Sequence, residues 1–406
     1  MFDIIIIGAG ASGLFCGNFI ESNNSIILEK NSFAGKKLNI TGKGRCNITN
    51  TSNSDIFHLN IFSGSKFLYS SLNEFTNLDT INYFNKIGVS TKVERGNRVF
   101  PSSDKAKDVT EALLKNIKTK IKYNTKIDQI KYDDNIFTVK TKNEEFRSKI
   151  LILATGGVSY PATGSDGNIH DTLINNLDIS LSKLKPALCG LNTKIETKDL
   201  SGLTLKNINV SLKRNKKVIK SEFGELLFTH FGLSGPTILR LSPFVEPGDK
   251  IIIDLKPALD FDMLNKRLLR DINNNPNKNL KNILELLLPK KLIDIVSFIS
   301  KIDIQKKVSI LTKNERESLI IILKNLEFDI LSRRGFNESV ITDGGVKLNQ
   351  INPKTMQLKN NSNLFIIGEL LDVAANTGGY NLQIAFSTAF KAAKYANLLL
   401  KEDKCK

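Results

Sequence analysis

The sequence predicts an α/β chain in which one parallel sheet is begun at the N-terminus and finished near the C-terminus. Three observations carry this. Asp3 to Ile7 form an apolar run, followed at once by Gly8-Ala9-Gly10-Ala11-Ser12-Gly13, a helical stretch to Ile20 and a second strand, Ser25 to Leu28. Ile150 to Ala154 form another buried run, ending in Thr155-Gly156-Gly157. Asn363 to Ile367 form the last one, closed by Gly368-Glu369. Between the last two the pattern turns strand-like and then helical, so residues between about 187 and 345 read as an insertion.

The first thirty residues set the chemistry. Strand, glycine turn, helix, strand and acid make a Rossmann-like unit. Gly8 permits the turn, Gly10 lets backbone approach a diphosphate, and Gly13 lets helix pack close to strand. Free N–H groups and the helix dipole favour the anion. Glu29 stands where a carboxylate takes ribose hydroxyls, which disfavours a 2′-phosphate and hence NADP here. The motif alone does not separate FAD from NAD.

At 406 residues the chain has room for two or three domains. No apolar run is long enough to cross a bilayer, and the N-terminus carries Asp3 inside a strand, so a cytoplasmic protein is expected. Cys16, Cys46, Cys189 and Cys405 show no CxxC spacing, and His58, His170 and His230 share no metal spacing, so no metal is expected. Lys plus Arg is 58 against 41 Asp plus Glu, a net charge of +17 that favours polyanionic partners. Richness in Lys, Asn and Ile is also what an AT-rich genome produces, so the charge fits either origin.

In chain order, Phe33 to Asn50 is a long glycine-rich basic loop, of the kind that binds ligands. Ser65 to Phe84 looks helical. Val93 to Phe100 looks like a strand pair around Arg95-Gly96-Asn97-Arg98, and Pro101-Ser102-Ser103-Asp104 is expected to cap a helix from Lys105 to about Ile117. Ile121 to Val139 alternates as a hairpin-like pair of strands. In the insertion, strands are expected at Leu203 to Leu212, Val218 to Phe223 and Ile251 to Leu255, with Ser234 as N-cap of a short helix through Leu241. Asp260 to Asn325 is mostly helical, broken at Asn273 to Asn279, and Phe328 to Leu348 returns to short strands. Asn376-Thr377-Gly378-Gly379-Tyr380-Asn381 precedes a final helix, Leu382 to Leu400. A helix start there suits a flavin, because its dipole stabilises negative charge on the reduced ring, and an NAD dehydrogenase has no need of it. FAD is therefore expected. With no second GxGxxG, NADH or NADPH must dock without a Rossmann domain of its own.

Several long motifs in this order resemble the BaiN/RdsA family of bacterial flavoproteins, also called aminoacetone-oxidase-like or NAD(P)/FAD-dependent oxidoreductases. They are Gly8 to Gly13, Gly35 to Asn50, Arg98 to Asp104, Leu153 to Gly157, Gly224 to Pro236 and Gly368 to Asn381. Lys43 stands where a small residue is expected before Gly44. The resemblance implies an FAD-binding domain (1–186 and 346–406), an inserted β-barrel-like domain (187–258 and 326–345) and a small helical domain (259–325). It implies FAD contacts at Gly8, Gly10, Ala11, Gly13, Glu29, Lys30, Gly157, Gly368, Asp372, Gly378, Gly379, Tyr380 and Asn381. It links members to reduction of a 23S rRNA uridine to dihydrouridine, and others to bile-acid C=C reduction.

An rRNA dihydrouridine synthase would take its hydride from NADH or NADPH through FAD, and the uridine must leave its stack. Lys36, Lys37, Lys43, Arg45 and Asn47, with the Lys-rich stretch 206–220, would hold RNA. Cys46 and His230 are the candidate acids. Each reads equally well as structural, Cys46 as a small buried residue and His230 as a hydrogen-bonded turn residue. A small-molecule flavin oxidoreductase, a C=C reductase or amine oxidase, would share every cofactor motif.

Overall fold

The computed structural model describes residues 1–404, so Cys405 lies outside the described residues. By internal contacts the chain separates into two compact units, residues 1–186 with the chain from Val340 onward, and Ala187–Ser339.

The first unit is built on strands β1 (Phe2–Ile7), β2 (Ser25–Leu28), β3 (Lys120–Lys122), β4 (Glu145–Leu153) and β5 (Asn361–Ile366). They run parallel in the order β5-β4-β1-β2-β3. Isoleucines fill β1 because both faces of a central parallel strand are covered, and Ile4, Ile5 and Ile6 are wholly buried. Helix α1 (Ala11–Phe19) follows the glycine turn, and helix α2 (Tyr380–Lys404) is the last element of the described residues. Their rings interlock, with Phe15 5.1 Å from Phe19 and 4.6 Å from Phe386, and Phe19 5.0 Å from Phe390. Residues four apart on each helix thus meet across the pair, Phe15 and Phe386 tilted and Phe19 and Phe390 edge to face.

Several expectations are corrected here. The stretch from Ser65 forms two helices, Ser65–Glu74 and Asn77–Lys86, because Thr76 and Asp79 form a reciprocal capping box that restarts the helix. The helix Ala106–Asn116 has Lys105 at its N-cap and no side-chain cap. Asp104 instead turns its carboxylate to Arg45 and Lys92. Of Ile121 to Val139, only Gln129–Asp133 and Ile136–Lys140 make the hairpin, while β3 joins the parallel sheet beside β2. The N-cap of the helix Pro236–Leu241 is Gly235, one residue after Ser234, with Pro236 in the first turn.

The second unit contains a closed barrel, in the order Leu191–Thr193, Gly232–Ser234, Lys217–Thr229, Thr204–Arg214, Lys250–Asp254 and Leu326–Arg333. Helices Phe261–Asn273, Leu280–Leu284, Lys290–Ser300 and Lys313–Lys324 share one apolar core with it, through residues such as Leu264, Ile283, Val296 and Ile320. Phe228 and Phe328 meet inside that core at 5.7 Å. No described helix is long and apolar enough to cross a membrane.

Candidate functional site

The glycine turn after β1 is shaped by contacts that exclude a side chain at two positions and leave one open. Gly8 has φ +100°, and a Cβ there would stand 2.6 Å from the Ala154 carbonyl oxygen. A Cβ on Gly13 would overlap the Gly8 carbonyl oxygen. A Cβ on Gly10 would face open space. Gly10 is the N-cap of α1 and Ala11 its first residue, and no side chain caps this helix end. Its first-turn N–H groups are therefore presented to an anion.

Glu29 closes the other side of the turn. It is 6% exposed, and one carboxylate oxygen accepts from the Ala9 N–H at 2.7 Å. The other oxygen accepts from Asn31 N–H and Nδ2 at 2.8 and 2.7 Å. A carboxylate has about four lone-pair directions, so it keeps capacity for hydroxyls. The neighbouring Lys30 is paired to Asp166 at 2.6 Å.

The turn before α2 is another glycine turn expected to meet the cofactor. Gly379 has φ +98°, and a Cβ there would overlap the Thr49 carbonyl. Asn50 Nδ2 donates to the Gly378 carbonyl at 2.9 Å. Asn47, with its amide oxygen turned to the Gly379 N–H at 3.0 Å, donates to the carbonyls of Thr49 and Val99. Thr49 Oγ1 donates to Gln383 Oε1 at 2.6 Å. Asn381 staples the turn to itself, accepting from Ala375 N–H at 3.0 Å and donating to its carbonyl at 2.8 Å. Tyr380 is buried edge-on against Phe57 at 4.8 Å. Gly368 packs against the first turn of α1, where its Cβ would lie 2.6 Å from Ser12 Oγ. Asp372 is half-buried and its N–H donates to Val346.

At Gly157 the side-chain direction is filled by Thr342. A Cβ there would strike Thr342 Oγ1 at 2.5 Å, and that oxygen accepts from Val158 and Ser159 N–H at 2.8 and 3.1 Å. Close by, Lys37 Nζ lies 2.6 Å from Ser159 Oγ and 2.7 Å from Glu369 Oε2. Glu369 Oε1 accepts from Ser159 Oγ at 3.1 Å and Thr342 N–H at 3.0 Å. Sequence reasoning missed this cluster because Lys37 and its carboxylate partner are 332 residues apart, with no local signal.

Three residues expected to hold RNA are engaged within the fold. Arg45 is paired with Glu94 and Asp104 and stacks over Phe100 at 4.2 Å. Lys92 and Arg45 hold the Asp104 carboxyl below its usual range. Lys37 and Asn47 are occupied as described. Lys43 is exposed in a left-handed conformation, and Lys36 is half-buried.

Of the candidate acids, Cys46 is wholly buried, and burial pushes its thiol up to about 12 against a weaker opposing hydrogen bond with Thr41. Native protein is expected to resist iodoacetamide at Cys46 at pH 8 and to react fully once denatured, read by peptide mass spectrometry. Labelling of the native chain at Cys46 would refute the enclosure. His230 is exposed on the second unit, in the turn joining Lys217–Thr229 to Gly232–Ser234, with its ring edge-on to Phe231 at 5.1 Å.

The uncapped helix start, the open side of Gly10 and the Glu29 carboxylate fit an adenine dinucleotide. Buried Thr155 Oγ1 and Asn376 Oδ1, beside the two glycine turns, have no protein partner among the described residues.

The comparisons agree with this geometry. A family described as HI0933-like protein Rossmann domain matches residues 2–395. A ribosomal RNA dihydrouridine synthase of Haemophilus influenzae is 30% identical, covering 96% of this chain and 97% of the relative. A 3-dehydro-bile acid delta(4,6)-reductase of Clostridium scindens is 29% identical, covering 96% and 98%. Among solved structures, a 3-ketosteroid delta1-dehydrogenase from Sterolibacterium denitrificans superposes with a TM-score of 0.52 at 10% identity, over 98% of this chain and 99% of that one, which is a likeness of fold. With the family's Rossmann domain matching nearly end to end, this chain belongs to the HI0933-like family.

Proposed function

We propose that this chain, an oxidoreductase of the FAD-dependent HI0933-like family, uses NADH or NADPH to reduce an electron-poor C=C bond, and that its substrate is a uridine of 23S rRNA. The observation that carries the cofactor assignment is the bare N-terminus of α1 beneath the open side of Gly10. The substrate assignment draws on the Haemophilus influenzae relative, named a ribosomal RNA dihydrouridine synthase.

Gly10, Ala11 and Gly13 would hold the diphosphate on backbone N–H groups, Gly8 would shape the turn with its own N–H given to the Leu28 carbonyl, and Glu29 would take the adenosine ribose. Gly378 and Gly379 would bring the start of α2 to the flavin, with Asn47, Asn50 and Asn381 fixing that turn. Gly368, Asp372 and Tyr380 would also meet the cofactor, and Lys30 with Asp166 borders the adenosine side. When bound, FAD supplies a hydride to the electron-poor carbon of the double bond, at the expense of the nicotinamide donor. The second carbon needs a proton. Of the two candidate acids the thiol of Cys46 is sealed, which leaves His230 as the one proposed to supply it. His230→Ala is expected to lower product formation by about 10²-fold or more while FAD stays bound, and Cys46→Ala to leave turnover intact. Equal activity of His230→Ala and wild type would remove the histidine from the mechanism. RNA phosphates would be met by Lys43, Lys36 and the exposed Lys206, Lys216 and Lys217.

A second reading is reduction of a small organic C=C compound. The engagement of Arg45, Lys37 and Asn47 inside the fold favours it, as does the Clostridium scindens relative named a bile acid reductase. Mass spectrometry of 23S rRNA from a deletion strain decides. Loss of one dihydrouridine, restored by the gene, supports the RNA substrate, and an unchanged dihydrouridine complement eliminates it.

A further inference from the structure

We propose that Lys37 is a charge-compensating residue for the dinucleotide, neutralising Glu369 so that the cradle accepts a diphosphate. The inference rests on the FAD reading above and deepens it.

Glu369 directly follows Gly368, which packs on Ser12 in the first turn of α1. A Cβ on Gly156 would lie 3.9 Å from Glu369 Oε2, and a Cβ on Gly8 3.4 Å from the Cα of the neighbouring Thr155, so the carboxylate stands close behind the glycine turn proposed to hold the diphosphate. Three donors converge on it, from Lys37, Ser159 and the Thr342 backbone. Only Lys37 brings a positive charge. The Lys37 and Glu369 side chains are 21% and 23% exposed, so water screens the pair weakly. Without the lysine, an enclosed carboxylate would repel an incoming dianion. The remaining hydrogen bonds would still hold Glu369 in place, so the geometry would survive while the charge changed. Lys37 also bridges three distant segments, the basic loop, the second glycine turn and the Gly368-Glu369 turn, and a purely structural role would rest on that bridging instead.

The two roles separate by ligand charge. Protein stripped of flavin is titrated with FAD and, separately, with riboflavin, which has no phosphate, by fluorescence quenching. Lys37→Met is expected to weaken FAD about tenfold or more and riboflavin less than about threefold. Lys37→Arg is expected to retain affinity, and Lys37→Met/Glu369→Gln to recover most of it, because the charge left uncompensated is then gone. Equal losses for FAD and riboflavin in Lys37→Met, or a double variant as weak as the single one, would overturn the proposal. Circular dichroism of each variant reports folding independently. If wild-type protein itself takes up no FAD, the cofactor reading falls, which this comparison of variants cannot be confused with.

Discussion

Gly13→Ala is expected to melt well below wild type whether or not flavin is present, while Gly10→Ala keeps its fold and loses its cofactor. Both glycines belong to one motif, yet they face opposite ways. A Cβ on Gly13 overlaps the Gly8 carbonyl and comes within 3.3 Å of the Ala154 side chain, so α1 must lift from the β1–β4 seam. Overpacking of this kind costs about 1–3 kcal/mol, which for a unit this size is a fall of roughly 2–12 °C in Tm. A Cβ on Gly10 meets nothing within 4 Å. Its methyl group would occupy the side from which a diphosphate approaches, so FAD affinity should fall about tenfold or more with the flavin-free Tm within about 2 °C of wild type. Differential scanning fluorimetry with and without FAD reads both effects. Equal Tm losses in the two variants would mean that Gly10 is a packing residue after all.

Removing the Glu74 carboxylate should be among the most destabilising single changes in the first unit. Glu74 ends the helix Ser65–Glu74 and pairs with Lys391 and Lys394 of α2. The Lys391 side chain is only 3% exposed, and apart from Glu74 its Nζ meets Ser70 Oγ at 2.8 Å and the Lys354 carbonyl at 3.2 Å. Glu74→Ala leaves that cation without a counter-charge, a change that costs about 3 kcal/mol. Lys391→Met should cost less, since Glu74 keeps Lys394 and the methionine fills the buried path. The pH dependence has a definite sign. Burial pushes Glu74 up, but hydrogen bonds from Lys391 and Lys394 outweigh it and hold the carboxyl below its usual range. Its contribution is therefore complete above the unfolded glutamate value of about 4.3 and is lost as pH falls through the lower folded value. Denaturation of wild type followed from pH 7 downward should steepen in that window, and Glu74→Gln should be flatter there. Parallel curves would show that the pair contributes nothing measurable.

Much of the sheet was legible because central parallel strands must be apolar on both faces, and β1, β2, the end of β4 and β5 announce themselves that way. β3 did not, because Lys120-Ile121-Lys122 is a short edge strand whose alternation reads as the start of the hairpin that follows it. The break at Phe75 was missed although Thr76-Asn77-Leu78-Asp79 carries a capping signature, since the apolar period runs on across it. Asp104 read as a helix cap from its neighbours, but its partners Lys92 and Arg45 come from other parts of the fold. The same blindness to distant partners explains the candidate site. Gly8, Gly10, Gly13 and Glu29 act locally and could be read from spacing. The engagement of Lys37, Arg45 and Asn47 depends on residues up to hundreds of positions away.

Translation gives the cradle a fixed order of events. Its first glycine turn leaves the ribosome early, but Glu369, which pairs with Lys37, and Gly379, which packs on Thr49, are made last. A nascent chain lacking its last forty or so residues thus has half a pocket, with α1 deprived of the helix it packs on. Flavin loading is therefore expected to follow synthesis of these last segments, and chains truncated before residue 368 should accumulate as flavin-free protein.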